Sequence, residues 1–261
     1  MKNIAFIPSK GSSEGVPKKN LQKIGQHTLV EWSLELAVDS NLFDSIVLST
    51  ESSDVIENIP RLAPYAEQFK NLKHEQIVVV SDKIQIHKRS LEHATRLAST
   101  LDLIASYLEY QELETPTSLT LLQPTCPFRS ISELAEILEQ VSSGKFHSVA
   151  SARLFDSPHP QKAIRLSADS SIDAGSSEFT LLSTPRQELA ELYVLDGAYY
   201  CVETNQFMKT RRLVSEGTHI VKRKGISTMN IDNEDDLQYA RYIYEMKRGL
   251  ISWTPMPKNV K

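Results

Sequence analysis

A stretch of serines, glycines and lysines directly follows the first apolar run of the sequence. The apolar run covers residues 3–8, and residues 8–20 read Pro-Ser-Lys-Gly-Ser-Ser-Glu-Gly-Val-Pro-Lys-Lys-Asn. Backbone N–H groups in a turn of small residues can point at an anion, and lysine ammonium groups neutralise its oxygens. The pattern is therefore typical of a phosphate-binding loop. The Gly-x4-Gly-Lys-Ser/Thr spacing of a P-loop is missing, so a solvated polar loop is an equally simple interpretation of these residues alone.

The segments around this loop alternate between short apolar runs typical of strands and amphipathic helical patterns. Strand-type runs cover residues 3–8, 45–50, 76–80, 119–122, 147–151 and 197–202. Helical patterns cover residues 29–37, about 98–112, 131–141 and the segment after 233. Such alternation predicts an α/β fold, with a mostly parallel sheet covered by helices on both faces. Ligands bind such sheets outside the carboxyl ends of the strands, and the loop 8–20 lies at one of those ends.

The alternation of strands and helices breaks between residues 156 and 191. Three prolines and a serine-rich run replace the apolar pattern there. Structureless loops of more than about 15 residues are uncommon in compact domains unless they are functional. We therefore expect 156–191 to be an arm inserted into one domain that spans residues 1–250. Residues 251–261, with two prolines, are expected to form a C-terminal tail.

Composition and charge exclude several classes of partner. Of the 261 residues 40% are hydrophobic and 24% are charged, which is an ordinary globular balance. The formal net charge of −4 argues against a nucleic-acid or membrane-surface binder, because both need a basic face. No apolar run approaches the roughly 18 residues of a membrane span. Cys126 and Cys201 lack a metal-type spacing, so we expect reduced thiols and a cytoplasmic protein.

Six segments, in the same order along the chain, resemble motifs of one enzyme family. They are the loop 7–21, residues 88–100, Leu-Leu-Gln-Pro-Thr-Cys-Pro-Phe-Arg at 121–129, His-Pro-Gln-Lys at 159–162, residues 186–198, and Asn-Ile-Asp at 230–232. The loop 7–21 and the segment 121–129 are the most specific of these matches. Together the segments resemble the acylneuraminate cytidylyltransferases, which are the CMP-sialic, legionaminic and pseudaminic acid synthetases.

This resemblance implies a Rossmann-like fold of the nucleotide-diphospho-sugar transferase type, with 156–191 as a dimerisation arm of a homodimer. It also implies transfer of CMP from CTP to the anomeric hydroxyl of a nonulosonic acid, a nine-carbon 2-keto sugar acid of the sialic type. Pyrophosphate leaves, and Mg²⁺ bridges the phosphates. Catalysis of such a transfer is mostly positioning and charge neutralisation.

The resemblance further implies roles for individual residues. Lys10 and Lys19 would hold the triphosphate, and Asp232 would be the metal ligand, since Mg²⁺ prefers hard oxygen ligands. The implied nucleotide-binding residues are Ser9, Lys10, Gly11, Ser13, Lys19, Asn20, Arg89, Ala98, Ser99 and Thr100. The implied substrate-binding residues are Gln123, Thr125, Lys162, Arg186, Gln187 and Asp196. Structural alternatives remain open, in which Asp232 caps the last helix and Arg89 is a surface cation.

Several positions depart from the family pattern. Glu14 replaces a lysine, Arg96 replaces an aspartate, and Asn230 replaces the first aspartate of the metal motif. Glu14 and Arg96 reverse sign together, so we hypothesise that they form a charge-exchanged pair in one pocket. The departures keep two alternatives open. One is a CMP-transferase for another 2-keto sugar acid, such as an octulosonate, and the other is a catalytically impaired homologue that binds nucleotide or sugar as a partner.

Overall fold

An eight-stranded sheet forms the centre of the computed structural model, which describes residues 1–13, 15–95, 97–111, 116–155, 159–173 and 179–256. The strands are β1 (Lys2–Pro8), β2 (Lys23–Ile24), β3 (His27–Thr28), β4 (Ser45–Thr50), β5 (Ile77–Val79), β6 (Ile84–Lys88), β7 (Thr117–Leu121), β8 (Ser148–Leu154), β9 (Tyr193–Glu203) and β10 (His219–Arg223). The helices are α1 (Leu29–Ser40), α2 (Ser53–Glu57), α3 (Ala66–Asn71), α4 (Thr100–Glu109), α5 (Ile131–Ser142), α6 (Phe179–Ser183), α7 (Thr204–Thr210) and α8 (Glu234–Met246).

The strand order across the sheet is β10-β8-β9-β7-β1-β4-β6-β5. β1 pairs in parallel with β4 and β7, β4 with β6, and β8 with β10. β9 and the edge strand β5 run antiparallel to their neighbours. The predicted mostly parallel sheet is therefore confirmed. The carboxyl ends of β1, β4, β6, β7 and β8 all lie at the same edge of the sheet.

Helices cover both faces of the sheet, as predicted. Alternate residues of β1 point to opposite faces, so Ile4 and Phe6 pack in one apolar cluster with α4 and α7. Ala5 and Ile7 pack on the other face with α1 and α5. A strand buried on both faces needs a continuous apolar run, which explains the pattern at residues 3–8.

Capping boxes set the first residues of three helices. Thr28 and Glu31 cap α1, Ser130 and Glu133 cap α5, and Asn233 and Asp236 cap α8. In each box the side chain of the residue before the helix accepts from the backbone N–H three residues later, and the acid at that later position accepts from the backbone N–H of the first residue. The last helix begins at Glu234, directly after residue 233, as predicted.

The structure differs from the sequence-based prediction on the side of the sheet beyond β4. The run at 76–80 becomes β5, an antiparallel edge strand, and the parallel neighbour of β4 is instead β6. The Ile-Gln-Ile-His-Lys sequence of β6 alternates in polarity, so it lacks the continuous apolar run of a buried strand.

Among the described residues, none of the helices combines the length and the apolar character that crossing a bilayer requires.

The described part of the segment 156–191 has little regular secondary structure. Its described part contains a short turn at Pro160–Lys162, a bridge between Leu166 and Ile172, and the helix α6. Residues 156–158 and 174–178 lie outside the described residues. Its role in dimerisation stays a prediction.

Candidate active site

A cavity of about 470 Å³ opens at the carboxyl edge of the sheet. Pro8 ends β1, Arg89 follows β6 and Gln123 follows β7, so three segments that are distant in sequence meet there. Ten of the predicted nucleotide and substrate residues line the cavity: Lys10, Ser13, Lys19, Asn20, Arg89, Ala98, Ser99, Thr100, Gln123 and Thr125. The structure therefore brings the loop after β1 and the two later segments into one site.

Hydrogen bonds within the loop after β1 fix its shape. The Ser13 hydroxyl donates to the carbonyl of Val16 (2.7 Å) and accepts from the Lys19 N–H (2.7 Å). The Asn20 amide donates to the carbonyl of Lys10 (3.2 Å). Ser13 and Asn20 thus hold Lys10 and Lys19 at the cavity.

The ammonium group of Lys10 reaches across the cavity. Its Nζ donates to the carbonyl of Thr95 at 2.8 Å, and both residues line the cavity. This contact joins the loop after β1 to the segment 88–100 across the cavity.

Ser9 and Gly11 are not brought to the cavity wall. Ser9 is buried, and its N–H donates to the carbonyl of Ser49 at 2.9 Å, which extends the β1–β4 pairing. The Gly11 N–H donates to Glu51 Oε1 at 2.7 Å. A Cβ on Gly11 would lie 2.6 Å from Ser52 Cβ, so only glycine allows this close approach. Direct contact of these two residues with a nucleotide is therefore not supported.

Arg89 is buried although it lines the cavity, with 1% of its surface exposed. Its Nε and Nη2 lie 2.8 and 2.7 Å from Glu51 Oε2. Burial lowers the pKa of the guanidinium, and the adjacent Glu51 carboxylate opposes that shift. The alternative of a solvated surface cation is therefore wrong, because the structure places Arg89 inside the protein with a counter-ion.

Asp232 meets the loop after β1. Lys19 Nζ lies 3.7 Å from Asp232 Oδ1 and donates to the carbonyl of Ile231 at 3.0 Å. A Cβ on Gly15 would lie 2.2 Å from the Asp232 carbonyl oxygen, so the two backbones are in direct contact. The helix cap belongs to Asn233 and Asp236, which leaves the Asp232 carboxylate outside the cap, with 67% of its side chain exposed.

Asn230 links Asp232 to the interior. Its Nδ2 donates to Asp232 Oδ2 at 2.7 Å, and its Oδ1 accepts from the Cys126 thiol at 3.4 Å. Burial raises the pKa of the Cys126 thiol, which disfavours the reactive thiolate form. The Asn230 amide, itself held by Cys126, therefore orients the Asp232 carboxylate.

The carboxylate of Asp232 suits a metal ion that is shared with a nucleotide. Among the described residues, no cluster of three or more His, Cys, Asp or Glu side chains could enclose a metal. Mg²⁺ is commonly held by one or two carboxylates, with phosphates and waters completing its shell. The exposed carboxylate of Asp232, which lies 3.7 Å from Lys19 Nζ, fits that kind of site.

A sequence model of one family covers most of the chain. The family is described as "Cytidylyltransferase", and the match spans residues 4–216. The chain belongs to the cytidylyltransferase family.

Two curated members of the cytidylyltransferase family are similar to the chain. One is an N-acylneuraminate cytidylyltransferase of Streptococcus agalactiae serotype V, 25% identical over 240 residues, covering 90% of this chain and 52% of the relative. The chain thus spans about half the length of that relative. The other is a pseudaminic acid cytidylyltransferase of Campylobacter jejuni, 22% identical over 249 residues, covering 94% of this chain and 97% of the relative.

Solved structures share the fold of this cytidylyltransferase family member. A CMP:2-keto-3-deoxy-manno-octonic acid synthetase complexed with CTP superposes with a TM-score of 0.59 at 15% identity, covering 96% of this chain and 100% of that one. A 4-diphosphocytidyl-2C-methyl-D-erythritol synthase of Anaerococcus prevotii gives a TM-score of 0.56 at 14% identity, covering 92% and 97%. At such identities the likeness concerns the fold alone.

Asp196 lies in the interior of the fold, away from the cavity walls. Its side chain is fully buried, and Arg223 Nη1 lies 2.9 Å from Asp196 Oδ2. The other carboxylate oxygen accepts from the Ser151 hydroxyl and from the Ala198 N–H. Both oxygens are engaged within the protein, so direct contact with a substrate is not supported. The sequence held no signal for this pairing, because Arg223 lies on β10, far from Asp196 along the chain.

Replacing Asp196 with Asn is expected to lower the free energy of unfolding by about 3 kcal/mol, because it leaves the buried Arg223 without one counter-ion. Urea denaturation measures this loss. The matched control is Glu109→Gln, which breaks an exposed ion pair with Arg211 (2.6 Å) and is expected to cost less than about 1 kcal/mol. If Asp196→Asn keeps the wild-type stability but raises the KM for the sugar acid, Asp196 would instead be a substrate-binding residue.

The cations predicted in the arm lie apart from the first cavity. Arg186 and Gln187 line a second cavity of about 330 Å³ beside the end of β8, together with His159. Lys162 is exposed at the end of the turn Pro160–Lys162 and lines neither cavity. Of the predicted substrate residues, Gln123 and Thr125 therefore line the first cavity, Arg186 and Gln187 line the second, and Lys162 and Asp196 line neither.

Two further residues support the site and were missed in the sequence. Arg129 is buried and donates to the carbonyls of Gln123 and Ala198, which fixes the turn after β7. Glu51 accepts the Gly11 N–H and pairs with Arg89. An acid directly after a buried strand was the available signal for Glu51. The hypothesised pair of Glu14 and Arg96 lies outside the described residues and stays a prediction.

Proposed function

We propose that the protein transfers CMP from CTP to the anomeric hydroxyl of a nonulosonic acid and releases pyrophosphate. The observation that carries this proposal is the meeting of two segments far apart in sequence. Lys19, which lines the cavity, lies 3.7 Å from the carboxylate of Asp232. A site that binds a triphosphate together with a divalent cation needs cationic groups for the phosphates and an anionic group for the cation. The family membership supplies the reaction class.

The proposed step forms a bond between the anomeric oxygen and the α-phosphorus, breaks the bond between the α-phosphorus and the α,β-bridging oxygen of CTP, and releases the hydroxyl proton to solvent. The α,β-bridging oxygen leaves with pyrophosphate. Lys10 and Lys19 neutralise charge on the triphosphate, and Arg89, Ala98, Ser99 and Thr100 frame the nucleoside. Mg²⁺, when bound beside Asp232, would supply further neutralisation of the phosphate oxygens. Fixed cations in a cavity cost little reorganisation during the reaction, so they favour the transition state.

The sugar acid is proposed to bind beside the end of β7. Gln123 and Thr125 line the first cavity there and offer an amide and a hydroxyl to sugar hydroxyls. Lys162, Arg186 and Gln187 lie on the arm, apart from this cavity, so we propose that they bind the carboxylate from the arm of the second protomer, since charge-assisted bonds to a carboxylate are strong. Curated relatives named for N-acylneuraminate and pseudaminic acid favour a nine-carbon acid.

A homodimer is part of this proposal. Several apolar side chains of the arm and its base are exposed: Leu154, Ile164, Leu166, Ile172, Phe179 and Leu195. Contiguous exposed apolar surface is typical of a protein interface. We propose that a second copy covers this surface, next to the cavity of Arg186. We also propose a cytoplasmic location, which the two free, buried thiols favour.

Replacing Arg186 with Gln is expected to raise the KM for the sugar acid roughly tenfold to a hundredfold, because a charge-assisted bond to the carboxylate is lost. The KM for CTP should stay unchanged. Steady-state kinetics with each substrate varied in turn measures the difference. Arg165→Gln, another arginine of the same arm, is the control and should leave both constants as in the wild type. An unchanged KM in Arg186→Gln would remove this residue from the sugar site.

Two alternative functions are compatible with the same fold. In the first, the acceptor is an eight-carbon octulosonate. In the second, the protein binds nucleotide or sugar without turnover, which the neutral Asn230 beside Asp232 favours. The test incubates the protein with CTP, Mg²⁺ and a panel of nonulosonic and octulosonic acids and follows pyrophosphate. Release with a nonulosonic acid supports the proposal. Release with the octulosonate alone, or CTP binding without any release, would replace it with the corresponding alternative.

A further inference from the structure

Glu51 bridges two of the segments that border the nucleotide cavity. It directly follows β4, which lies between β1 and β6 in the sheet. Glu51 Oε1 accepts the Gly11 N–H at 2.7 Å, and Oε2 lies 2.8 and 2.7 Å from Arg89 Nε and Nη2. One carboxylate therefore joins the loop after β1 to the residue that follows β6.

The carboxylate itself lies behind the cavity wall. Only 13% of the Glu51 side chain is exposed, and Glu51 is not among the residues that line the cavity, whereas Arg89 is. Glu51 contacts the guanidinium through Nε and Nη2, on one side of its planar fork. The donors of Nη1 point away from that side, because the geometry of the fork is rigid.

Glu51 also balances the charge of the cavity. Arg89 is paired with a carboxylate, so the pair as a whole is neutral. Because Glu51 compensates its charge, Arg89 is a fixed hydrogen-bond donor for a neutral part of the ligand.

The turn that carries Glu51 is fixed independently of the cavity. The Ser52 N–H donates to the Thr50 hydroxyl at 3.1 Å. Gly11 approaches this turn so closely that a Cβ would clash with Ser52, so the loop after β1 is seated directly on it. Movement of the Glu51 carboxylate would therefore change both the loop and Arg89.

We infer that Glu51 is a positioning residue for the nucleotide, which acts by aiming Arg89 and seating the loop after β1. This inference rests on the proposed function, since it assumes that CTP occupies the cavity. Glu51 touches no ligand, so its effect must pass through Arg89 and Gly11. Removing its charge frees the guanidinium to turn away from its present direction, and the nucleotide then meets a less ordered site.

The test is a double-mutant cycle read by direct CTP binding, with calorimetry on the full chain. Glu51→Gln is expected to raise the Kd for CTP about tenfold, and Glu51→Asp, which keeps the charge, should recover part of the loss. In an Arg89→Gln background, Glu51→Gln should change the Kd less than about twofold, because the partner through which it acts is gone.

The control is Glu57→Gln, which removes the same charge six residues away by breaking an exposed ion pair with Lys70 at 2.8 Å. It should bind CTP as the wild type does. An unchanged Kd in a folded Glu51→Gln protein, or equal effects of that change in both backgrounds, would overturn the inference. A wild-type protein that binds no CTP would overturn the proposed function and this inference with it.

Discussion

Asp232→Asn is expected to reduce turnover roughly a thousandfold, which is the size of the effect when one charge-stabilising group is removed from an active site. The substitution keeps the shape of the side chain and removes its charge. The carboxylate lies 3.7 Å from Lys19 and accepts from Asn230, so the amide can keep these neighbours without attracting a divalent ion. Initial rates of pyrophosphate release, at saturating CTP and sugar acid, measure the loss.

The control for this substitution is Asp235→Asn, which removes an exposed acid three residues away, in the first turn of α8. Its turnover should match that of the wild type. Binding of Mn²⁺ in the presence of CTP, followed by electron paramagnetic resonance, gives a readout independent of turnover. If Asp232→Asn keeps wild-type rates and Mn²⁺ affinity, the metal site lies elsewhere.

Lys19→Gln is expected to raise the Kd for CTP roughly a hundredfold. Two unit charges 4 Å apart interact by about 4 kcal/mol at an effective dielectric constant of 20, and partial solvation of the site reduces the net effect. The Lys19 side chain is only 16% exposed and lines the cavity, so little water replaces the lost charge. Calorimetric titration with CTP measures the change.

The neighbouring Lys18 provides the matched control for Lys19. Its Nζ bonds to Asp54 at 2.6 Å on the surface, its side chain is 62% exposed, and it does not line the cavity. Lys18→Gln removes the same charge from the same loop, so bulk electrostatics alone would weaken CTP binding equally. We expect less than a threefold change in Kd, because exposed charges are screened by water and salt. Equal losses in the two variants would show that the loop acts only through its overall charge.

The parts of the fold that sequence predicted correctly are those with strong local signals. The run at 45–50 is apolar on both faces and became β4 with the predicted bounds. Residues 131–141 combine helical spacing with a capping box at Ser130 and Glu133, and they form α5. Where local preference and tertiary packing agree, pattern alone is enough.

Other features depend on contacts that no local pattern records. Asp196 is satisfied by Arg223 from another strand, so its burial cannot be read from its own neighbours in sequence. The polarity of β6 reflects His87 and Lys88, whose partners include Glu75 and the carbonyl of Leu72. In both cases a distant partner makes a polar side chain acceptable in a buried position.

The cavity residues likewise divide into those that a local sequence pattern predicts and those that depend on distant contacts. Lys10 and Lys19 were accessible to prediction because small residues and cations after a strand have a known use. The positions of Ser9 and Gly11 were not, because their backbone groups bond to β4 and to Glu51, and sequence does not reveal which way a loop amide points. Asn230 likewise takes its orientation from Cys126, far earlier in the chain.

The central claim is that the loop after β1 holds the triphosphate of CTP while Asp232 anchors its divalent ion. A crystal structure with CTP and Mn²⁺, phased to locate the anomalous signal of the metal, tests both halves at once. We predict the Mn²⁺ within coordination distance of an Asp232 oxygen, and phosphate oxygens in contact with the ammonium groups of Lys10 and Lys19. A triphosphate bound away from this loop, or a metal with no contact to Asp232, would contradict the account.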